Sequence, residues 1–387
     1  MLNLEQQIFR QLEKSKNILV VFPNDEAASA PADRADAMAA ALALFLFLKK
    51  LGHETEIVGF KGDNNKSPLS FLPAYQEIKE KLNNLRRFIV SLNISQAKVS
   101  QIKYAIDNNQ LNFIISPTTG WFKPEDVSAR AGEFKYDLII TLGLSDLEFL
   151  GRTYDDNIEF FYKTTIINID HHPANEEFGQ INFIDLNAVA SSEILFYLLK
   201  NYKSDLIDED IATCLLTGII QETRNFKTPN LTPRTLLSTS ELIARGARRE
   251  EIVNRLYRSR SLASLRLWGK ILNNLKSENN GELLWSELKA DDFQKSGAEA
   301  TELADIVDEL IATVPNTKII AILYEEAGSR TRLIIYSLKN INALEFLKEY
   351  SPLGTLKSAQ ATLDLKLEAA AVTIIKNLKN KLDKLTL

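Results

Sequence analysis

At 387 residues the chain is too long for one ordinary core and implies two or three domains. Its 45% hydrophobic and 25% charged residues are those of a soluble globular protein, and a net charge of -5 excludes the broad basic footprint of a duplex DNA binder, leaving room only for a local patch. The single cysteine, Cys214, excludes an intramolecular disulfide and reads as a buried small hydrophobe within the apolar run 211–220.

Residues 1–16 carry charges throughout and no apolar h-region, so the expected location is the reducing cytoplasm, with no membrane association. The first predicted strand covers residues 18–22. The apolar run 37–48 is too short to span a bilayer and ends in Lys49-Lys50-Leu51-Gly52, which reads as a helix with a basic last turn and a glycine cap. Further strands are predicted at 55–60, 88–92, 113–116, 138–142 and 164–169. Helical patterns lie between several of them, which implies right-handed crossovers and a largely parallel sheet. From 232 to 275 the pattern is continuously helical, opened by a capping Thr232 and by Pro233 at the first helical position. The polar stretch 276–281 reads as a boundary. Beyond it, strands at 282–285, 318–324 and 332–337 mix with helices, including a long amphipathic one through Leu385. The expected fold is α/β: a largely parallel-sheet N-terminal domain over 1–231, a helical connector over 232–276, a smaller C-terminal α/β domain over 277–387, and a cleft between the two domains.

The most informative stretch is Ile166-Ile167-Asn168-Ile169-Asp170-His171-His172-Pro173, which sets two of three histidines behind an aspartate at a strand's C-terminal end. That edge is where open α/β sheets bind ligands. Imidazole and carboxylate together suit a divalent ion such as manganese, which activates water against phosphate esters.

With its neighbours, this stretch resembles the DHH/DHHA1 phosphoesterases, and most closely the bacterial oligoribonucleases that also dephosphorylate 3'-phosphoadenosine 5'-phosphate. Phe178-Gly179, Asn182-Phe183-Ile184-Asp185 and Ala190-Ser191-Ser192-Glu193 continue the third motif. Gly218-Ile219-Ile220-Gln221-Glu222-Thr223, with Phe226 and Thr232-Pro233-Arg234-Thr235, is similar to the fourth. The resemblance implies a DHH-like and a DHHA1-like domain and an ancestral centre at Asp170, His171 and His172. It also shows departures. The first motif's His is absent near Phe22-Pro23-Asn24-Asp25, and the only other histidine is His53. Arg34 stands at the first carboxylate of the Asp-x-Asp pair and Asp36 at the second. Gly143 stands where an Asp would bridge two ions, with Asp146 three residues on, and Glu222 replaces an Asp. By that pattern one ion has lost every ligand, whereas the other keeps Asp36, His171 and Glu222. At most one weakly held manganese or other divalent ion is expected, or none, with Asp170 orienting a ligand or solvent.

Arg34 at a helix N-terminus is unfavourable for the helix dipole unless an anion lies close. Either it grips a phosphate, or it pairs with Asp36, Asp170 or Glu222, which have lost a metal. In the C-terminal domain Lys339 occupies the resembling enzymes' arginine position. The loop Pro352-Leu353-Gly354-Thr355-Leu356-Lys357-Ser358-Ala359 keeps one glycine and no histidine, so Gly354, Thr355, Lys357 and Ser358 are candidate phosphate contacts. Trp121 either covers a loop near the cleft or anchors it, and Trp268 and Trp285 pack the connector. Arg245, Arg248, Arg249, Arg255, Arg258 and Arg260 read as a solvated face paired to Glu250 and Glu251, or as a patch steering an oligonucleotide. Two functions remain open: a catalytically impaired nucleotide- or phosphate-binding or structural protein, with a homodimer among its options, and an active single-metal phosphoesterase on short oligonucleotides or phosphonucleotides.

Overall fold

The computed structural model describes residues 2–24, 31–62, 67–257, 261–303, 307, 314–326, 330–339 and 341–385. Its contacts divide the chain into two compact units, Met1–Arg258 and Ser259–Leu387.

The first unit runs α1 Leu4–Lys14, β1 Asn17–Val21, α2 Pro31–Leu51, β2 Glu54–Val58, β3 Ile78–Lys79, β4 Arg86–Leu92, β5 Val99–Asp107, β6 Gln110–Pro117, β7 Val127–Phe134, β8 Leu138–Leu142, α3 Arg152–Asp155, α4 Ile158–Lys163, β9 Thr165–Asp170, β10 Ile181–Ile184, α5 Ser191–Lys203, α6 Glu209–Glu222, α7 Pro233–Ala244 and α8 Arg249–Tyr257. Six strands pair in the order β10-β9-β8-β1-β2-β3, every pair parallel. Strand order reverses between β1 and β8, because the chain leaves β1 toward β2 but later fills the other side outward from β8. Such a switch point opens a crevice at the strands' C-terminal ends. On one sheet face α2, α5 and α6 bury a core including Ile18, Val20, Leu138, Ile140, Ile167 and Ile169; on the other, Leu19, Val21, Ile139 and Ile166 pack against Phe160 and Phe161. Residues 37–44 of α2 and 211–220 of α6 are buried all round, as expected of helices without a polar stripe. Cys214 lies in α6, fully buried, and burial pushes its thiol pKa up.

Two expected strands depart from the parallel sheet. Residues 88–92 lie in β4 and 113–116 in β6, and these belong to two-stranded antiparallel ladders, β4 with β7 and β5 with β6. Alternating sequence marks a strand but not its partner's direction. The parallel sheet instead completes itself with β3 and β10, too short to leave a periodic signal.

The second unit runs α9 Leu262–Asn273, β11 Lys276–Glu278, β12 Leu283–Leu288, α10 Ala290–Ser296, β13 Ile319–Glu326, β14 Arg330–Ser337, α11 Ala343–Phe346, β15 Leu353–Gly354, β16 Ser358–Leu363 and α12 Leu367–Leu385. Its sheet has the order β11-β12-β13-β14-β16-β15, parallel only between β12 and β13. Alternation sends Leu283, Trp285, Ala321 and Leu323 toward α12 and Leu284, Ile320 and Ile322 toward Leu267, Trp268 and Ile271 of α9. Trp268 and Trp285 therefore pack opposite faces of one sheet. The helical run 232–275 is shared out: α7 and α8 lie in the first unit and α9 in the second. Thr232 caps α7 by accepting from the Thr235 amide, with Pro233 at the first helical position. No described helix is long and apolar enough to cross a membrane.

Candidate active site

The C-terminal edge of the parallel sheet gathers the ends of β1, β8 and β9, the start of α2, the start of α5 and the end of α6. Asp36, fully buried on α2, reaches the N-terminus of α5. Its Oδ2 accepts from the Ser191 amide at 2.6 Å and its Oδ1 from the Ser192 amide at 3.1 Å. The residue before α5, Ala190, has no side chain able to cap, so a carboxylate from another helix satisfies those amides and meets the positive end of the helix dipole. Gly218 makes room: a Cβ there would collide with Ser192 Oγ and Asp36 Oδ1.

Asp170 ends β9, also fully buried. Its Oδ1 accepts from the His171 amide at 2.8 Å and lies 2.7 Å from His172 Nδ1, and its Oδ2 accepts from Asn175 Nδ2 at 2.7 Å. A relay holds Asn175: Thr141 Oγ1 donates to Asn168 Oδ1 at 3.0 Å, and Asn168 Nδ2 donates to Asn175 Oδ1 at 2.9 Å. Burial would raise the Asp170 pKa, but the hydrogen bonds from His172 and Asn175 outweigh it and hold the carboxyl below its usual range.

The two histidines differ. His172 stands between Asp170 and Asp33, with Nε2 3.7 Å from Asp33 Oδ2. Burial opposes its ionisation, yet hydrogen bonds to Asp170 and Asp33 push its pKa up to about 10, so it is an internal imidazolium at neutral pH. Burial lowers the pKa of His171, only partly countered by the nearby Asp36, which keeps the ring neutral and fit to ligate. Its Nδ1 lies 3.1 Å from Ser191 Oγ, directing Nε2 to the site.

Glu222, the last residue of α6, is pushed up to about 8 by burial and by the charges of Asp36 and Asp33, and it hydrogen-bonds Asp33. Its Oε2 is buried without a hydrogen-bond partner among the described residues. A carboxyl that holds its proton to such a pH, with an orphaned oxygen and two further carboxylates near it, has the chemistry of a divalent-cation ligand. Asp170, His171 and His172 also offer ligand atoms within 4.8 Å of one another. In that triad His172 carries a proton, and both oxygens of Asp170, like both of Asp36, already accept hydrogen bonds, which leaves neutral His171 and the Glu222 Oε2 as the donors without such an engagement. Asp33 escaped the sequence reading, although it precedes Asp36 by one helical turn and so shares its face.

Gly143 follows β8 with φ +58°, its amide donating to Ile169 O at 3.0 Å. A Cβ added there would sit 2.7 Å from Ala37 Cβ. A side chain at this position would therefore be strained and would force Ala37 or the loop to shift. Asp146 accepts from the Glu148 amide and caps the turn after β8. His53 precedes β2, at the opposite sheet edge, its Nδ1 3.0 Å from Ser15 O. The Arg34 guanidinium lies over the Phe60 ring, 5.9 Å from its centroid.

In the second unit, the pairing of Tyr336 with Ser358 brings Lys339 and residues 355–358 to the same end of the sheet. The segment 354–359 is a tight hairpin turn. Thr355 Oγ1 already accepts from the Lys357 and Ser358 amides, and the Thr355 amide donates to Ser358 O. Gly354, at φ +141°, packs so close to β16 that a Cβ would strike Ser358 O. Trp121 is exposed within the segment joining β6 to β7. Arg245 donates to Ser204 and Glu241, and Arg248 to Glu209, Asp210 and Glu251, so ion pairs absorb the charge of both. Arg258 and Arg260 lie outside the described residues.

Among known proteins, residues 32–219 match the DHH family, N-terminal domain. The bifunctional oligoribonuclease and PAP phosphatase NrnA of Thermus thermophilus is 28% identical over 225 residues, which cover 56% of this chain and 64% of that protein. Its counterpart from Bacillus subtilis is 30% identical over 147 residues, covering 38% and 46%. The chain thus spans less than two thirds of either relative. The crystal structure of an exopolyphosphatase-related protein from Bacteroides fragilis shares the fold, with a TM-score of 0.65 over 99% of this chain and 97% of that one at 18% identity.

Proposed function

Because this chain belongs to the DHH phosphoesterase superfamily, on the branch of the oligoribonuclease and PAP phosphatases, we propose that it binds a nucleotide or short oligonucleotide phosphate and hydrolyses it far below the rate of a two-metal enzyme. The observation that carries this reading is Gly143, which offers no carboxylate and whose left-handed backbone and contact with Ala37 would strain a side chain there. A two-metal mechanism needs ions about 4 Å apart, clamping the attacking and leaving oxygens together. One ion remains supported, held by neutral His171 and Glu222 with Asp36 and Asp33 beside them. When bound, such an ion polarises a phosphoryl oxygen and acidifies a water. Asp170 fixes His172 as an imidazolium that offsets the clustered carboxylates. Arg34 is the proposed anion contact of the first unit; in the second unit, taken by itself, Lys339 and Lys357 stand at one end of the sheet as candidate anion contacts. Gly354, Thr355 and Ser358 shape the turn that carries Lys357.

A second reading, an active single-metal phosphoesterase on short oligonucleotides or phosphonucleotides, draws on Glu222. Its buried Oε2, without a hydrogen-bond partner among the described residues, is available to an ion alongside the neutral His171.

Calorimetric titration with manganese, run at pH 7 in two buffers of different ionisation enthalpy, tests the ion site. Glu222 must shed its proton to ligate, so binding should be weak, one ion per chain, and release close to one proton. Two tightly held ions would overturn the proposal. In parallel, turnover of 3'-phosphoadenosine 5'-phosphate or short RNA that disappears in His171→Ala would establish the second reading; turnover at background supports the first.

A further inference from the structure

The antiparallel segment between β3 and β8 is unlike the rest of the first unit. β5 and β6 form a hairpin closed by Asn108 and Asn109, whose φ values of +46° and +63° suit a two-residue turn. The ladder pairs Ile102 with Ile115, Tyr104 with Phe113 and Ile106 with Leu111, and directly opposed residues share a face. One face is therefore wholly apolar. The other carries Gln101, Lys103, Ala105 and Asp107 beside Ser116, Ile114, Asn112 and Gln110.

The apolar face is open to solvent. Ile102, Tyr104, Ile106, Leu111 and Phe113 are between 53% and 74% exposed. Taking roughly 200 Å² for a fully exposed large side chain, these five leave about 600 Å² of contiguous apolar surface, at or above the largest patch of an ordinary monomer. A two-stranded hairpin is itself marginal in water, so whatever covers this face contributes to folding the arm. That cover has to be present whenever the chain is, a condition a second copy always satisfies. The area also agrees. Two such faces packed together bury roughly 1,200 Å², the lower bound of a specific protein–protein interface, before any polar rim is added. The strip bears no charge, so stacking it on its own symmetry mate leaves no charge unpaired.

We infer that the β5–β6 arm is a dimerisation arm, its apolar face packed on the same face of a second chain. The contact is isologous: Tyr104 and Phe113 lie at its centre and Lys103 on its outer side.

Sedimentation velocity on the full chain across the micromolar range tests this. The expected result is a species of twice the 43.6 kDa chain mass. Tyr104→Lys with Ile106→Lys should shift it to the single-chain mass, and Leu111→Lys with Phe113→Lys on the facing strand should do the same, guarding against one pair disturbing the hairpin. Lys103→Glu, on the opposite face, should leave the dimer intact. Because all four targets are exposed, the main melting transition of the first unit should persist in each variant. A wild-type chain that stays monomeric throughout overturns the inference, as does a dimer unaffected by both double substitutions. A monomer that instead binds lipid vesicles through the same residues would assign the face to a membrane surface and equally refute the second copy.

Discussion

Replacing Glu222 by Gln should make the metal-free protein more stable in alkaline solution and leave it nearly unchanged in acid. Folded, Glu222 keeps its proton to about 8, whereas the unfolded side chain releases it near 4.5. Between those values the folded state holds more protons than the unfolded one, so stability falls as pH rises. Each pKa unit corresponds to about 1.4 kcal/mol, which sets a ceiling of roughly 5 kcal/mol for ionising Glu222 in place. Glu222 is not fully buried and solvent screens part of that cost, so about 2 kcal/mol is expected. For a domain of this size that amounts to a melting shift of roughly 4–8 °C. His172 adds a decline in the same direction: pushed up to about 10, it stabilises the fold fully below 6.5 and loses that contribution as pH rises through 10. Both proteins keep His172, so the difference between them isolates Glu222. Scanning calorimetry with chelator at pH 5 and pH 9 reads the effect. If wild type and Glu222→Gln melt in parallel across that range, the clustered-carboxylate account of the site is wrong.

Two further outcomes follow from the same geometry. Gly143→Asp should lower stability by about 3 kcal/mol, combining left-handed strain with the collision at Ala37. It should restore no manganese-dependent hydrolysis; a folded variant that gains turnover would refute the backbone argument. Arg34→Ala should weaken metal-free nucleotide binding by about tenfold, the worth of one charge-assisted contact, and reduce its sensitivity to salt. Unchanged affinity with a lower melting temperature would show Arg34 to be a structural counter-charge instead.

The strands that position the site were legible because parallel strands buried on both faces read as continuous apolar runs: 138–142 coincides with β8, and 164–169 nearly with β9. Direction was not. In β4 and β6 the alternation is that of a strand with one exposed apolar face, and nothing in a single strand reports its partner. At the site, His171 and Asp170 were legible from a strand ending in Asp-His-His. Asp33 was not, because the reading of that helix stopped at the Asp-x-Asp spacing and ignored the helical turn linking Asp33 to Asp36. The polar run 355–358 shows the converse difficulty. Its hydroxyl and amides suited a phosphate on paper, but in the fold Thr355 already occupies the two amides that would have pointed outward.

The clasp of Asp36 on the α5 amides has a consequence for how such a centre ages. That carboxylate has two employments: it faces the ion site, and it anchors the first turn of a helix that packs the sheet. Losing the chemistry would not release it, since substitution would leave two buried amides without an acceptor. Asp170, with three donors gathered on it, one of them an imidazolium, is bound in the same way. Gly143, by contrast, has no side chain and anchors nothing beyond its own backbone bond to Ile169. In a fold built like this, a buried acidic residue that also holds a helix in place reports architecture before it reports activity.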